Sequence, residues 1–286
     1  MLQTSTNNLS ELSFEQTDKL LEWVKLKTGM VFASRLMPWV LKQLDQVFQA
    51  SGAANINLFL QDLIAGKKLL EAQILFDNLT VNETMFFRDK KYFDFIVQKM
   101  FPDIIQNNQS TRSLSVWVAA GSSGQEAYSI LFAILENFPL VKGWNIQIYS
   151  TDLCTEVIKK AKEGKYEKHE ISRGLDNALL ERYFTPIDDR YFQVKQEYRE
   201  MIKFSSSNLV QDFSGAVPAV DFISCRNVLI YFNDVTKADI IKRLAKKVKS
   251  RGYFILGQVD YINAKTPPDG FEYKWEGTFP YYHRLT

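Results

Sequence analysis

The segment Val116-Trp-Val-Ala-Ala-Gly-Ser-Ser-Gly-Gln-Glu126 joins a strand-like apolar run to a Gly-Ser turn and then to the start of a helix. Gly121 and Gly124 permit a sharp bend and a close approach of backbone to a ligand. Glycine turns of this kind bind nucleotides at the carboxyl edge of α/β sheets. The third glycine of the dinucleotide fingerprint is missing. Asp152 ends the next strand-like run, the place where an acid accepts the ribose hydroxyls of a nucleoside. A hydrogen bond to a charged carboxylate contributes roughly 1.5–3 kcal/mol. Asp152 also precedes a helical segment, so the role of helix N-cap stands beside that of ribose acceptor.

The cofactor chemistry follows from charge. A dinucleotide needs a helix N-terminus free to receive pyrophosphate. Glu126, in the first turn of the helix, crowds a pyrophosphate but suits a cation. S-adenosylmethionine has no phosphate and carries a sulfonium, so the pair of acids favours it. A nicotinamide-dependent dehydrogenase shares the turn and the strand-end acid, and is disfavoured by the absent glycine. A non-catalytic module that binds the same nucleoside, or merely a partner, is the other alternative.

These residues need a sheet to hold them. Strand-like runs at 114–118, 146–150, 220–224 and 253–256 alternate with helical patterns at 125–138, 153–162 and 235–249. Such alternation predicts parallel βαβ units in a three-layer, Rossmann-like α/β sheet. Residues 279–284 are expected as a closing strand. The runs at 191–195 and 201–204 are expected to form a hairpin, an inserted antiparallel β-subdomain at about 185–205. The first eighty residues differ. Leu36, Trp39, Val40, Leu44, Val47 and Phe48 recur at three- and four-residue steps, with Gly29 and Gly52 as punctuation and Pro38 near a helix start. The expected organisation is a small all-helical domain (1–79), a linker and leading helix (80–112), and a catalytic sheet domain (113–286).

Composition restricts the function classes. The 286 residues are 46% hydrophobic, enough for a substantial core. A formal net charge of +2 does not point to a nucleic-acid partner. The two cysteines, Cys154 and Cys225, lack metal-ligand spacing, and no metal is expected. Their separation fits a reducing cytosol, so the protein is expected to be cytoplasmic. The polar start is unlike a signal peptide, and no apolar run of about 18 residues suggests membrane insertion.

Three segments together resemble the chemotaxis-receptor glutamate methyltransferase (CheR) family: Thr80-Val-Asn-Glu-Thr-Met-Phe-Phe-Arg-Asp89, Trp117-Val-Ala-Ala-Gly-Ser-Ser-Gly-Gln-Glu-Ala-Tyr-Ser129, and Ile223-Ser-Cys-Arg-Asn-Val-Leu-Ile-Tyr-Phe232. They occur in the family's order and spacing, and the similarity spans essentially the whole chain. The resemblance implies methylation of glutamate side chains on chemoreceptors, with S-adenosylmethionine as donor and S-adenosylhomocysteine as product. It implies that Asn82, Thr84 and Arg88 close over the cofactor. Glu126 corresponds to the acid at the methionyl end, Asp152 to the ribose acid, and Gly121 to the glycine turn. Asn208 and Leu209 match the adenine-side pair, and Arg226 and Asn227 the pair after the switch-point strand. Arg88 and Tyr231 match the residues beside the transferred methyl. The implied partner is the cytoplasmic helical domain of a receptor.

Two departures carry consequences. Ala127 stands where the family commonly has Pro, a change that bears on helix stiffness. The stretch Phe184-Thr-Pro-Ile-Asp-Asp-Arg-Tyr191 lacks the glycine-bearing insertion that docks a receptor's C-terminal pentapeptide in some members, so a pentapeptide tether is not expected. A nucleic-acid methyltransferase would be expected to carry an Asn-Pro-Pro-Tyr type motif where Arg226-Asn-Val-Leu229 stands.

Several of the same residues have plainer readings. Thr80 and Glu83 fit a capping box that opens a helix. Phe86 and Phe87 fit core anchors. Arg88 fits a surface ion pair with Asp89 or Glu83. Cys225 reads as a small buried residue, and neither His169 nor His283 takes a catalytic role. The run Lys246-Lys-Val-Lys-Ser-Arg251 reads as the cationic end of a helix. On the N-terminal helices, Lys19, Lys25, Lys27, Arg35 and Lys42 are interspersed with Glu15, Asp18, Glu22 and Asp45, and a one-sided basic face for an acidic receptor is not evident.

Overall fold

The computed structural model describes residues 12–211, 213, 215, 217–260, 267–276 and 279–285. The chain divides into two compact units, one of residues 1–81 with 231–233, the other of residues 82–230 with 234–286.

The first unit is helical: α1 (Phe14–Thr28), α2 (Met37–Ser51), α3 (Ile56–Ile64) and α4 (Leu69–Leu79). Ser13 caps α1 in a reciprocal capping box with Gln16, and Asn55 caps α3. α1 ends at Gly29 and α2 at Gly52, while Pro38 occupies the first turn of α2. Leu20, Val24, Val40, Leu44, Leu63 and Leu75 are fully buried and form its core.

Thr80 does not open a helix. It ends α4, and its hydroxyl donates back to the Asp77 carbonyl at 2.7 Å, so residues 81–85 run as irregular chain instead of a capped turn. In the second unit, α5 (Lys90–Phe95) continues through a π turn (Ile96–Met100) into α6 (Phe101–Asn107). The chain then enters β1 (Ser113–Ala119), α7 (Gln125–Asn137), β2 (Asn145–Asp152) and α8 (Thr155–Glu163). Next come β3 (Lys165–Glu167), α9 (Lys168–Ser172), α10 (Asn177–Tyr183), β4 (Phe184–Pro186), β5 (Tyr191–Val194) and α11 (Gln196–Arg199). The rest is β6 (Ile202–Ser206), β7 (Val220–Cys225), α12 (Asp234–Ala245), β8 (Val248–Leu256), β9 (Phe271–Glu276) and β10 (Phe279–Arg284).

Seven strands form one sheet in the order β6-β2-β1-β7-β8-β10-β9. β6, β2, β1, β7 and β8 are parallel, and β10 runs antiparallel between β8 and β9. β7 is buried at every position, and β1 at every position after Ser113, as expected of parallel strands covered on both faces. From β1 the chain builds outward to β2 and β6, then crosses back to β7 and β8. That reversal makes a crevice at the carboxyl ends of β1 and β7, where ligands bind in open α/β sheets.

The predicted hairpin of 191–195 with 201–204 is not formed. β5 pairs antiparallel with β3 and β4 in a small three-stranded sheet, whereas β6 pairs parallel with β2 at the edge of the main sheet. The polar connector folds as α11, which separates the two strands, and β6 buries Ile202 and Phe204. The β-subdomain strands therefore lie within 165–194 rather than 185–205. The basic run at 246–251 is also not a helix end: α12 stops at Ala245, and Lys249 lies in β8 with its ammonium 3.0 Å from the Asp221 carboxylate.

Candidate active site at the carboxyl ends of the strands

The glycine turn follows β1. Its φ angles are left-handed at Ala120 (62°), Ser122 (50°) and Gly124 (94°), a tight reversal into α7. The protein's own packing demands both glycines. A Cβ on Gly121 would stand 2.2 Å from the Ser150 hydroxyl, and one on Gly124 would meet Ala161 and the Tyr166 hydroxyl at 3.0 and 3.1 Å. Close backbone approach here is thus to β2 and to α8 with its following strand. Ala127, at the third position of α7, is fully buried, and the helix starts regularly without proline.

Asp152 sits at the end of β2 and is buried. Its Oδ2 accepts the Ser122 N–H at 2.8 Å, and its Oδ1 accepts the Cys154 N–H at 3.0 Å. It is therefore not a plain helix cap: the N-cap of α8 is Cys154, and the carboxylate ties the glycine turn to the β2–α8 corner. The Ser122 hydroxyl donates to the Asn82 carbonyl at 2.9 Å, which brings the start of the second unit onto the same turn. The Phe87 N–H donates to the Ser129 hydroxyl at 2.9 Å. Phe86 is fully buried, edge-on to Tyr166 and Phe184, so its core-anchor reading is the observed one.

Glu126 is the one residue between 121 and 134 that is not buried. Its Oε1 accepts the Ser224 hydroxyl at 2.6 Å, and its Oε2 pairs with Arg226 Nη1 at 3.0 Å. Arg226 follows β7 directly, and its side chain is 3% exposed. Its guanidinium lies 3.7 Å from the Tyr92 ring centre and 3.7 Å from Asp89 Oδ2, and it donates to the Arg88 carbonyl at 3.3 Å. The Tyr92 hydroxyl closes the network on Ser224 at 2.9 Å, and burial pushes that phenol far above its ordinary pKa, so it acts as a neutral donor. One guanidinium between two carboxylates leaves the cluster net negative. Together with Asp152, this donor set suits a cation and sugar hydroxyls better than a pyrophosphate.

Arg88 is half-buried, and its Nη1 donates to the Glu83 carbonyl at 3.0 Å, folding the 83–88 loop on itself. Glu83 is paired with Arg173 at 3.2 Å, not with Arg88. Thr84 lies half-buried on that loop. Beyond β6, Ser207 N–H donates to the Asp152 carbonyl at 2.9 Å, so the chain leading to Asn208 and Leu209 starts beside the ribose-acid candidate. Asn208 folds a turn by accepting the Val210 N–H at 3.1 Å, and Leu209 is buried. Ten of the eleven predicted site residues thus belong to the sheet unit. Tyr231 belongs to the helical one, where its carbonyl accepts the Val31 N–H at 2.9 Å.

Two residues in this region were not singled out by the sequence. Arg243 of α12 grips the carbonyls of Leu209 and Gln211 at 2.5 and 2.7 Å. Asp260, fully buried after β8, receives backbone N–H groups of the loop after β7. Backbone-directed side chains leave no spacing pattern, so only proximity reveals them. Cys225 is buried and its thiol is held protonated by that burial, which matches a packing role. Among the described residues, no group of three or more His, Cys, Asp or Glu side chains is arranged to hold a metal ion.

A mostly parallel sheet with a reversal at β1, a glycine turn tied to a strand-end acid and a second acid in the first turn of α7 is the architecture of the S-adenosylmethionine-dependent methyltransferases. The particular kind is fixed by comparison with known proteins. Residues 82–273 match the family model described as CheR methyltransferase, SAM binding domain, and the chain belongs to that family. It is 34% identical over 272 residues to Chemotaxis protein methyltransferase Cher2 of Pseudomonas putida, covering 94% of this chain and 95% of that one. It is 33% identical over 239 residues to Chemotaxis protein methyltransferase 1 of Pseudomonas aeruginosa, covering 82% and 86%. No helix among the described residues is long and apolar enough to cross a membrane.

Proposed function

We propose that this protein transfers the methyl group of S-adenosylmethionine to glutamate carboxylates on the cytoplasmic helical domain of chemoreceptors, acting in the cytoplasm. The observation that carries the reading is the match of residues 82–273 to the CheR SAM-binding domain, and the acid-rich rim of the sheet agrees with it. The relatives' names supply the chemotaxis setting. Glutamate as acceptor and independence from a pentapeptide tether and from a metal are this reading's own additions.

When bound, S-adenosylmethionine supplies an electrophilic methyl on a sulfonium whose departure leaves a neutral thioether. Asp152 would accept the ribose hydroxyls. Glu126, flanked by Arg226, faces the methionyl ammonium, and Asn227 stands beside it. Gly121 brings the turn against the methionyl chain, Asn208 and Leu209 border the adenine, and Asn82 and Thr84 cover the cofactor from the residues before α5. Arg88 holds one oxygen of the acceptor carboxylate with a guanidinium N–H, and the Tyr231 hydroxyl orients the other toward the methyl.

A glutamate, with a pKa near 4.3, is already ionised at neutral pH, so the protein has no proton to remove. Its contribution is alignment of oxygen, carbon and sulfur, and such orientation supplies up to about 7–11 kcal/mol. Incubation with methyl-labelled S-adenosylmethionine and receptor-containing membranes tests the reading. A base-labile label on a receptor band is the expected result. A base-stable label, or label on nucleic acid, would replace carboxylate methylation with another acceptor chemistry.

A further inference from the structure

Asp260 lies outside every motif discussed so far. It is 0% exposed, and burial raises its pKa while backbone N–H groups oppose that shift. Its Oδ2 accepts the Asn227 N–H in a very close contact, and its Oδ1 accepts the N–H groups of Leu229 and Ile230 at 2.7 and 3.3 Å. Those three residues lie on the turn that leaves β7, immediately after Arg226. Asn227 holds φ at 60°, a left-handed value that asparagine tolerates better than most non-glycine residues.

The Asp260 carboxylate holds the turn in that conformation. A buried side chain from the loop after β8 satisfies the Asn227 amide and the first two amides of a 3-10 turn (Leu229–Tyr231), donors that would otherwise be left unpaired. It fixes the backbone at both ends of a short stretch: Asn227 beside Arg226, and Ile230 beside Tyr231. Gly257 leaves the room for it. A Cβ there would stand 2.4 Å from Asp260 Oδ2 and 3.0 Å from the Asn227 nitrogen. The Asp260 N–H in turn donates to the Gly257 carbonyl at 3.0 Å, closing a turn that aims the carboxylate inward.

We propose that Asp260 is a positioning residue for methyl transfer, a buried carboxylate that sets the backbone of residues 227–230 and through it the Arg226–Asn227 pair. The inference rests on the proposed role of those residues toward the cofactor. It adds that their geometry is imposed from β8 and is not intrinsic to the β7 turn.

The test compares Asp260→Asn and Gly257→Ala with Lys249→Met. Asp260→Asn turns one accepting oxygen into a donor that faces an N–H. Gly257→Ala retains the carboxylate but pushes it away from the amides. Lys249→Met breaks the ion pair with Asp221, at the opposite end of β7 from Arg226. Thermal unfolding scores folding in all three. Calorimetry with S-adenosylhomocysteine and steady-state methylation score positioning.

Both site variants should lower kcat at least tenfold and weaken S-adenosylhomocysteine at least fivefold, while Lys249→Met keeps both values near wild type despite a lower Tm. Folded site variants with wild-type kcat and affinity would overturn the inference, as would equal losses in Lys249→Met. If Asp260→Asn does not fold, the same criteria are applied to Gly257→Ala alone. Failure of the wild-type protein to bind S-adenosylhomocysteine would instead sink the underlying cofactor reading.

Discussion

Glu126 and Arg226 form a nearly buried ion pair, Oε2 to Nη1 at 3.0 Å, that joins the first turn of α7 to the first residue after β7. The pair spans the two strand ends flanking the sheet's reversal, so it holds the candidate site together as well as charging it. Ser224 and the Tyr92 ring supply the additional contacts that make a buried pair tolerable. Removing one partner strands the other. Arg226→Met is expected to lower stability by about 3 kcal/mol or more, since it leaves Glu126 uncompensated. Glu126→Gln keeps the shape and one accepting oxygen but removes the charge and turns the other oxygen into a donor; with Asp89 still beside Arg226, it should weaken S-adenosylhomocysteine about tenfold with a smaller change in Tm than Arg226→Met. Denaturant unfolding and calorimetry separate the two effects; equal affinity in Glu126→Gln would remove this acid from the cofactor site.

Asp152 carries two duties that one substitution pair can distinguish. Its carboxylate anchors Ser122 and Cys154 through backbone N–H groups and is proposed to accept the ribose. Asp152→Ala should lower Tm and reduce S-adenosylhomocysteine affinity at least tenfold. Asp152→Asn retains one accepting oxygen and should recover part of the Tm but little of the affinity. Calorimetry on both variants checks this. Affinity that tracks Tm in both would make Asp152 a turn anchor only.

The parallel core was readable because β1 and β7 are buried on both faces and so appear as mainly apolar runs, interrupted by Ser115, Asp221 and Ser224, that end in chemically distinctive turns. Gly121, Gly124 and Asp152 stood out for the same reason, although the glycines turn out to be required by Ser150, Ala161 and Tyr166. The assignment of strands to sheets was not readable. The runs at 191–194 and 202–206 have similar lengths and residue types, and only the contacts of Ile202 and Phe204 beside β2 commit the second to the main sheet. Lys249 shows the same limit. A lysine in a basic run looks like a helix end until its partner, Asp221 on the neighbouring strand, is in view.

Arg88 and Tyr231 are proposed to act on the acceptor carboxylate, Tyr231 without a cofactor contact, which predicts a specific kinetic split. Arg88→Ala and Tyr231→Phe should each lower the rate of methyl transfer by about a hundredfold, the scale of lost orientation and charge stabilisation. S-adenosylhomocysteine affinity should change by less than threefold in Tyr231→Phe. Single-turnover methylation beside calorimetry tests this, and full activity in both variants would refute the assignment. Arg88 carries a second, structural bond to the Glu83 carbonyl, so Arg88→Lys is the informative companion. It keeps the charge but not the planar fork, and should remain severely impaired.

His283 contributes a pH dependence of stability that is separate from activity. Its ring stacks on Tyr253 at 4.4 Å, and burial lowers its pKa below 6.5. The folded state therefore binds this proton less readily than the unfolded chain does. Stability is fully present above pH 6.5 and falls as the pH drops from there through the folded-state pKa. His283→Phe preserves a stacking ring and removes the titration. Its Tm should fall less than that of the wild type between pH 7.5 and pH 5.5, measured by calorimetric scans; parallel curves would show that the imidazole does not titrate in this window.

Arg243 offers a test of the adenine side that does not touch the cofactor chemistry. Its guanidinium grips the carbonyls of Leu209 and Gln211 while its Nε pairs with Asp239 at 2.8 Å and its plane lies 5.1 Å from the Phe213 ring centre. Phe213 in turn packs edge-on against Trp117 of β1, so α12, the loop after β6 and the central strand are tied together by one side chain. A lysine has a single ammonium and cannot bridge two carbonyls in this fork geometry while also pairing with Asp239. Arg243→Lys should therefore leave the sheet folded but loosen the loop. Amide exchange at residues 207–211 should accelerate at least tenfold, and S-adenosylhomocysteine should bind three- to tenfold more weakly, with methyl-transfer rates at saturating cofactor unchanged. Unchanged exchange at those amides would mean that the loop holds its shape through Asn208 and the Asp152 carbonyl alone, without the arginine.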